Sequence, residues 1–210
     1  KADLTITGNG TMIASSSTLS MGGNAKVTIE NGTFTSTGFI GISVSGSTLV
    51  VNDAVVNSQE QAFGVYDAAN VTINGGVFTT KDNFVVGTNG TKNASQDRGH
   101  NTITINGGTY NGNIESAGYC ACGIYVANDD VVTVNGGTFN ITDGAGIVVR
   151  AGKTTVAENV VFNFNENPKL ANGKVGDSRV VVPTSQAFVI DLAAGYPGYN
   201  AETFEFNNNT

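Results

Sequence analysis

The chain has 210 residues, of which 28 are glycine and only 3 are proline, and charged residues make up 13% of it. Globular chains usually carry about 25% charged residues, so this composition excludes a charge-rich disordered tail and a coiled coil. The formal net charge of −7 would repel phosphate backbones, so nucleic acid is not expected as a partner. No apolar stretch approaches the ~20 residues that span a bilayer, and no membrane span is expected.

One phrase of sequence recurs along the chain. It alternates β-branched and polar residues, passes through Asn-Gly or a variant of it, and ends at an aromatic or apolar residue, a pattern typical of a strand, a bend and a second strand. The clearest copies begin at Val27, Val71, Ile103 and Val132. The final residues of the successive copies are Met12, Phe34, Val56, Phe78, Tyr110, Phe139 and Val161, and their shortest spacing is 22 residues.

A third short element completes each unit. It has the pattern Gly-(Ile/Val)-x-(Val/Asp), with copies that begin at Gly41, Gly64, Gly123 and Gly146. A unit of three short strands cannot bury its apolar side alone, but stacking pairs every strand with its copy one turn away. A hairpin at Asn-Gly is the alternative, and it gives no reason for the same residue to return every 22 positions.

The sequence therefore predicts an all-β fold, a right-handed parallel β-helix (β-solenoid) with three short strands in each turn of about 22 residues and about seven turns plus a C-terminal cap. The right hand follows from the ~98% preference of parallel crossovers for that hand. Two columns of side chains are predicted. The apolar column faces inward and contains Val27, Ile29, Phe34, Ile42 and Val44 with their equivalents. The polar column stacks the side-chain amides of Asn52, Asn74, Asn106 and Asn135.

The repeat is lost near residue 163, and Pro168, Pro183 and Pro197 all follow that point. We therefore predict a β-helix over residues 1–163, and a C-terminal cap or the start of a following module over residues 164–210. Within the second segment, residues 165–178 are predicted to form a loop, and residues 179–182 and 187–192 to form strands. A terminal cap would prevent edge-to-edge growth of the sheets.

The repeated phrase, the length of the turn and the asparagine column resemble the pectate-lyase-like right-handed parallel β-helix superfamily. Phage tailspikes and fibres and bacterial surface proteins are related to it, and the resemblance covers about residues 3–164. It implies an extracellular, cell-surface or virion setting and leaves a homotrimer open. One scaffold of this kind carries many activities, so the resemblance specifies a fold better than a function.

Two units are longer than the others, and insertions in solenoids form loops on the flank. The insertion at about residues 87–101 carries Lys92, Asp97, Arg98 and His100. The insertion at about residues 111–123 carries Glu115, Tyr119, Cys120 and Cys122. Acid-base chemistry on a polysaccharide would draw on an acid, a base and a cation, and the candidates are Asp97, Arg98, His100 and Glu115. Binding candidates are Lys92, Tyr119 and Asp129. The alternative is a solvated loop whose charges aid solubility.

Pectate lyases, which this chain resembles, need acidic calcium ligands and basic residues on one exposed sheet. The outward positions here carry neither, since they are Thr28, Val50, Thr72, Thr104, Thr133 and Thr155. No metal or cofactor is expected. A disulfide between Cys120 and Cys122 would be strained and two sulfurs make an incomplete zinc site, so one or both thiols are interpreted as small buried apolar groups.

The sequence thus favours a non-enzymatic structural or adhesive surface module of a phage virion (a fibre, spike or decoration protein) or of a bacterial cell surface. Such a module would present its flank loops to a cell-surface glycan or to a virion or surface protein. Two alternatives remain open. One is a polysaccharide lyase or glycoside hydrolase that works at the two insertions, and the other is a capsid or surface-layer building block without a ligand.

Overall fold

The computed structural model describes residues 2–88, 98–113, 122–142 and 144–165, together with four strands of the C-terminal segment. Every regular element among these residues is a β-strand. None of them forms a helix of the length and apolarity that crossing a membrane would require. Successive strands enter three parallel sheets, A, B and C, in rotation, so each circuit of the three sheets makes one turn.

Sheet A contains β1 (Asp3–Ile6), β4 (Lys26–Ile29), β7 (Thr48–Val51), β10 (Asn70–Ile73), β13 (Thr102–Ile105), β16 (Val131–Val134), β19 (Gly152–Ala157) and β24 (Ala201–Asn207). Sheet B contains β2 (Thr11–Ala14), β5 (Thr33–Ser36), β8 (Val55–Ser58), β11 (Val77–Thr80), β14 (Thr109–Gly112), β17 (Thr138–Ile141) and β20 (Val161–Phe164). Sheet C contains β3 (Leu19–Met21), β6 (Ile40–Ser45), β9 (Gln61–Tyr66), β12 (Phe84–Thr88), β15 (Cys122–Val126), β18 (Ala145–Val149) and β23 (Gln186–Ile190). The remaining strands, β21 (Asn172–Val175) and β22 (Val180–Pro183), form an antiparallel pair.

The register of the sheets follows the sequence repeat. Val71 pairs with Leu49 in the turn before it and with Ile103 in the turn after it, and all pairings within sheet A are parallel. Equivalent residues therefore lie directly above one another. The right-handed parallel β-helix predicted from the repeat is confirmed, with seven strands in sheets B and C and eight in sheet A.

The inward column is also confirmed. Ile29, Phe34, Ile42 and Val44 are fully buried and Val27 is 5% exposed. Successive turns stack aromatic rings in this column, and the centroid distances are 5.0 Å from Phe78 to Tyr110, 4.5 Å from Tyr110 to Phe139 and 5.3 Å from Phe139 to Phe162. Such ring pairs contribute about 0.5–1.5 kcal/mol each beyond the burial of their area.

Two details of the predicted alignment are wrong. Phe162 pairs with Phe139 in the aromatic column, whereas Val161 pairs with Thr138 and is 46% exposed. Val156 pairs with Val134, and four residues separate Val156 from Val161 whereas three separate Val134 from Thr138, which shifts the column by one position.

The second correction concerns the copy of the third element at Gly64. Ile42 pairs with Phe63 and Val44 pairs with Val65, so Gly64 lies beside Ser43 and not beside Gly41. The copy of the motif that begins at Gly64 is therefore displaced by two residues from the alignment that the sequence pattern suggests. A displacement of two residues keeps the inward and outward faces unchanged, because side chains alternate with a period of two.

The predicted asparagine column forms a ladder of side-chain amides on the exposed bend between sheets A and B. Each Nδ2 donates to the Oδ1 one turn below at 2.8 Å, from Asn135 to Asn106, from Asn106 to Asn74 and from Asn74 to Asn52. Asn52 donates to the Glu30 carboxylate at 2.8 Å, so the aligned amide dipoles end on a negative charge. A second ladder, which the sequence analysis did not identify, joins Asn163, Asn140 and Asn111 on sheet B.

The C-terminal segment contributes strands to the solenoid. β23 pairs in parallel with β18 and β24 pairs in parallel with β19. The predicted strands at residues 179–182 and 187–192 overlap β22 and β23, whereas β21 lies in the segment predicted as a loop. The proposed domain boundary near residue 163 stays a prediction.

Candidate functional site

The chain turns sharply wherever it passes from sheet C to sheet A, a line along the rod that we call the C–A edge. Residues in these bends adopt positive φ angles, which are 62° at Asn24, 59° at Ala68, 59° at His100 and 72° at Gly152. This left-handed conformation lets the backbone reverse within few residues. The bends of successive turns therefore stack as the strands do.

A groove of about 400 Å³ lies along the C–A edge over the first turns. Its lining is polar or small, and consists of Gly23, Asn24, Lys26, Gly46, Ser47, Thr48, Ala68 and Asn70. Lys26 is the one charged residue in this lining. A Cβ atom at Gly46 would lie 3.3 Å from the backbone oxygen of Asp67, so this lining glycine permits close approach of two bends.

Next to the groove, Arg98 is bound by residues of the turn below it. Its Nε and Nη2 donate to the two carboxylate oxygens of Asp67 at 3.0 and 2.8 Å, and its guanidinium carbon lies 4.3 Å from the centroid of the Tyr66 ring. The hydroxyl of Ser45 also donates to Asp67. One edge and one face of the guanidinium are therefore engaged by protein groups, as expected of an arginine that holds a bend in position.

These contacts shift the pKa values of the cluster. The hydrogen bonds from Arg98 lower the pKa of Asp67 and raise the pKa of Arg98, while burial raises the pKa of Tyr66 to about 12. At neutral pH Asp67 and Arg98 are thus an ion pair and Tyr66 is neutral. Both charged side chains stay accessible to water, with 43% of Arg98 and 38% of Asp67 exposed.

A buried carboxyl lies deeper in the same edge. Asp130 is fully buried, and its oxygens accept hydrogen bonds from the backbone N of Asn101 at 3.0 Å, from Asn101 Nδ2 at 2.7 Å and from the backbone N of Asn128 at 3.3 Å. The Thr88 hydroxyl also bonds to it. Thr88 and Asn101 precede and follow residues 89–97, so Asp130 ties together the two ends of the first insertion.

Burial raises the pKa of Asp130, while the hydrogen bonds from Thr88, Asn101 and Asn128 act in the opposite direction. A carboxyl that receives this many donors is fully satisfied by its own chain. The arrangement supports a positioning role for Asp130 at the base of the insertion.

The structure describes four of the residues singled out by sequence. Arg98 is in the ion pair above, and the backbone N of His100 donates to the backbone oxygen of Asp129 at 3.0 Å. Cys122 is fully buried beside Phe84, as an apolar thiol would be. The others, which are Lys92, Asp97, Glu115, Tyr119 and Cys120, lie outside the described residues.

The two insertions leave the rod at different edges. The first joins β12 to β13 at the C–A edge, and the second joins β14 to β15 where sheets B and C meet. The described ends of the insertions are separated by the width of sheet C, about 13–16 Å at ~3.3 Å per residue. A catalytic pairing of Glu115 with Asp97 or His100 stays a prediction.

Sequence reasoning missed Asp67, Tyr66, Asn101 and Asp130. One signal was present, because Asp67 ends a copy of the third element at a position where other copies have valine. Asp130 gave no signal, since its partners Thr88 and Asn101 lie on the far sides of an insertion. Only the stacked turns bring these residues together.

Within the described residues, no group of three or more His, Cys, Asp or Glu side chains could hold a metal ion. No protein-family model, curated protein or solved structure matches this chain.

Replacing Asp67 by Asn should lower the free energy of unfolding slightly at neutral pH. The variant should also lose less of this free energy than the unmodified chain when the pH is lowered. The folded pKa of Asp67 lies below the unfolded value of ~3.9, so the stabilisation is complete above that value and disappears as the pH falls through the folded pKa. Because both partners are well solvated, the loss at pH 7 should be below about 1 kcal/mol. Urea unfolding at neutral and acid pH measures it. Arg98→Met should remove the same acid-dependent component, and an unchanged acid profile in both variants would contradict the assignment.

Proposed function

We propose that the chain is a non-enzymatic adhesive module of the pectate-lyase-like β-helix type, displayed on a bacterial cell surface or a phage virion, that binds a glycan along the groove at the C–A edge. The observation that carries the proposal is the lining of this groove, where hydroxyl, amide and ammonium groups from successive turns face one open channel. Glycan recognition requires many such hydrogen-bonding groups in fixed positions.

The solenoid supplies the fixed positions. The bends that carry Asn24, Ser47 and Ala68 are joined by backbone hydrogen bonds, for example from Asn24 N to Gly46 O at 3.0 Å and from Asn70 N to Ser47 O at 2.9 Å. Their spacing is set by the ~4.8 Å separation of strands. A preorganised site loses little conformational entropy on binding, and a linear polymer can contact several turns at once.

The same lining favours binding over cleavage. Glycoside hydrolysis commonly uses two carboxyl groups about 5–9.5 Å apart on either side of the bond. The groove-lining residues include no carboxyl group and no histidine. Arg98, beside the groove, is paired with Asp67 at 2.8 Å.

A glycan array followed by calorimetry on the best ligand tests the proposal. Asn70→Trp places a bulky ring at the groove and should weaken binding at least tenfold. Thr102→Trp is the matched control, because Thr102 is the exposed equivalent of Asn70 one turn away and outside the groove, so binding should be unchanged. If the two variants bound the glycan with equal affinity, its binding site would lie outside the groove.

Two outcomes would replace the proposal. Glycan turnover that is abolished by His100→Ala or Glu115→Gln would make the chain a polysaccharide lyase or glycoside hydrolase. Silence on the array, combined with stoichiometric incorporation into particles, would make it a structural building block. Purification of the chain from virions or cell envelopes would identify its setting, and its mass in solution would show whether it forms a homotrimer.

A further inference from the structure

The bends of this solenoid use Asn-Gly pairs, which are the most reactive sequences for spontaneous deamidation. The backbone nitrogen of the glycine loses its proton and attacks Cγ of the asparagine, a new N–Cγ bond forms, and the Cγ–Nδ2 bond breaks to release ammonia. Water then opens the five-membered succinimide. Attack at Cγ gives aspartate, whereas attack at the backbone carbonyl gives isoaspartate. Glycine favours the reaction because it has no side chain to shield its nitrogen.

The amide ladder restrains this reaction at the central pairs. Asn106 Nδ2 donates to Asn74 at 2.8 Å and Asn106 Oδ1 accepts from Asn135 at 2.8 Å, so both ends of the amide are fixed. Bringing Cγ of Asn106 to the Gly107 nitrogen requires rotation of the side chain and loss of both hydrogen bonds. Asn74 is held in the same way between Asn52 and Asn106. Asn135 is held by its donor bond to Asn106.

Two of the reactive glycines in the ladder, Gly107 and Gly136, cannot be exchanged for safer residues. A Cβ atom at Gly107 would lie 2.8 Å from the backbone oxygen of Asn74, and one at Gly136 would lie 2.8 Å from the backbone oxygen of Asn106. Such contacts with backbone are too short for any side chain. The bend geometry therefore requires a labile pair, and the ladder protects it.

Asn9 differs in every one of these respects. It is exposed, it lies in the bend between β1 and β2 of the first turn, and it is outside the amide ladder, which ends at Glu30. A Cβ atom at Gly10 would meet nothing within 4 Å. We propose that Asn9 is a site of spontaneous deamidation in the folded protein and that the amide ladder keeps Asn74 and Asn106 intact.

The modification would alter the first turn. Conversion of Asn9 adds a negative charge, and isoaspartate also adds one atom to the backbone just before Gly10. The backbone oxygen of Gly10 accepts from Thr33 N at 2.9 Å, so a longer bend displaces the contact that joins β2 to β5. This inference is independent of the proposed glycan binding.

Ageing the folded 210-residue chain in mildly alkaline buffer, followed by peptide mapping and enzymatic labelling of isoaspartate, tests the proposal. Asn9 should convert at least about tenfold faster than Asn106, since both hydrogen bonds of the Asn106 amide must open before its Cγ can be attacked. Asn135, with one such bond, should be intermediate. In urea the rates should converge. Equal rates at Asn9 and Asn106 in the folded chain would overturn the inference.

Two variants separate the parts of the argument. Gly10→Ala fits the open space at that position and should suppress conversion of Asn9 without affecting the ladder. Asn74→Ala removes the acceptor of Asn106 and should raise the conversion rate of Asn106 severalfold, with circular dichroism to verify the fold. An unchanged rate at Asn106 would show that the ladder gives no protection.

Discussion

Replacing Phe78 by alanine is expected to lower the free energy of unfolding by about 3–5 kcal/mol. The ring is fully buried and its centroid lies 5.0 Å from Phe63 and 5.0 Å from Tyr110. The cavity cannot close easily, because the strands above and below Phe78 are fixed by continuous parallel ladders. Equilibrium urea unfolding followed by circular dichroism measures the loss.

Val77→Ala is the matched control on the same strand. Val77 precedes Phe78, points to the other face of sheet B and is 42% exposed. Its replacement should cost less than about 1 kcal/mol, as for other surface positions. If both variants lost the same stability, the energy of the fold would not reside in the inward column.

The inward column could be predicted from sequence because a coil converts a period along the chain into a line in space. Phe34, Phe78, Tyr110 and Phe139 recur with the same neighbours, and any structure that returns them to one line must stack the turns. The asparagine ladder followed from the same reasoning. Each of these two predictions was based on several copies of the sequence repeat, so one irregular copy did not change it.

Each misaligned part of the fold is one irregular copy of the repeat. Phe162 follows a bend that is one residue longer than the repeat requires, and valine at position 161 matches the pattern as well as phenylalanine at 162 does. The sequence alone favours Val161, which keeps the regular 22-residue spacing. Packing decides otherwise, since the buried ring of Phe139 stacks on Phe162 at 5.3 Å.

The C–A edge could not be read from the sequence for a different reason. Its polar contacts join residues of different turns, for example Arg98 to Asp67 and Asp130 to Asn101, and they are made once each. Sequence analysis chose Arg98 as a candidate for acid-base chemistry and Asp129 as a candidate for binding. The structure instead gives the buried role to Asp130, whose surroundings depend on how the turns stack.

Gly152→Ala is the second variant for which a large effect is expected, and it acts on this edge. Gly152 has φ +72°, and a Cβ atom there would lie 2.2 Å from the backbone oxygen and 2.6 Å from the backbone nitrogen of Asp130. A left-handed conformation costs an alanine about 1–2 kcal/mol and overpacking costs about 1–3 kcal/mol, so we expect a total loss of about 2–5 kcal/mol. Urea unfolding measures this total.

A local measurement shows where the loss arises. The clash moves the backbone of Asp130, whose carboxyl accepts from Asn101 N at 3.0 Å, so hydrogen exchange at the Asn101 amide should accelerate more than exchange at Ile73, which lies in another turn. Gly10→Ala is the control, since that glycine has open space around it and no positive φ, and it should change stability by less than about 1 kcal/mol. If Gly152→Ala kept full stability and exchange at the Asn101 amide were unchanged, the bends at the C–A edge would be able to separate without cost. A groove formed by such bends would lack the fixed geometry that glycan binding needs.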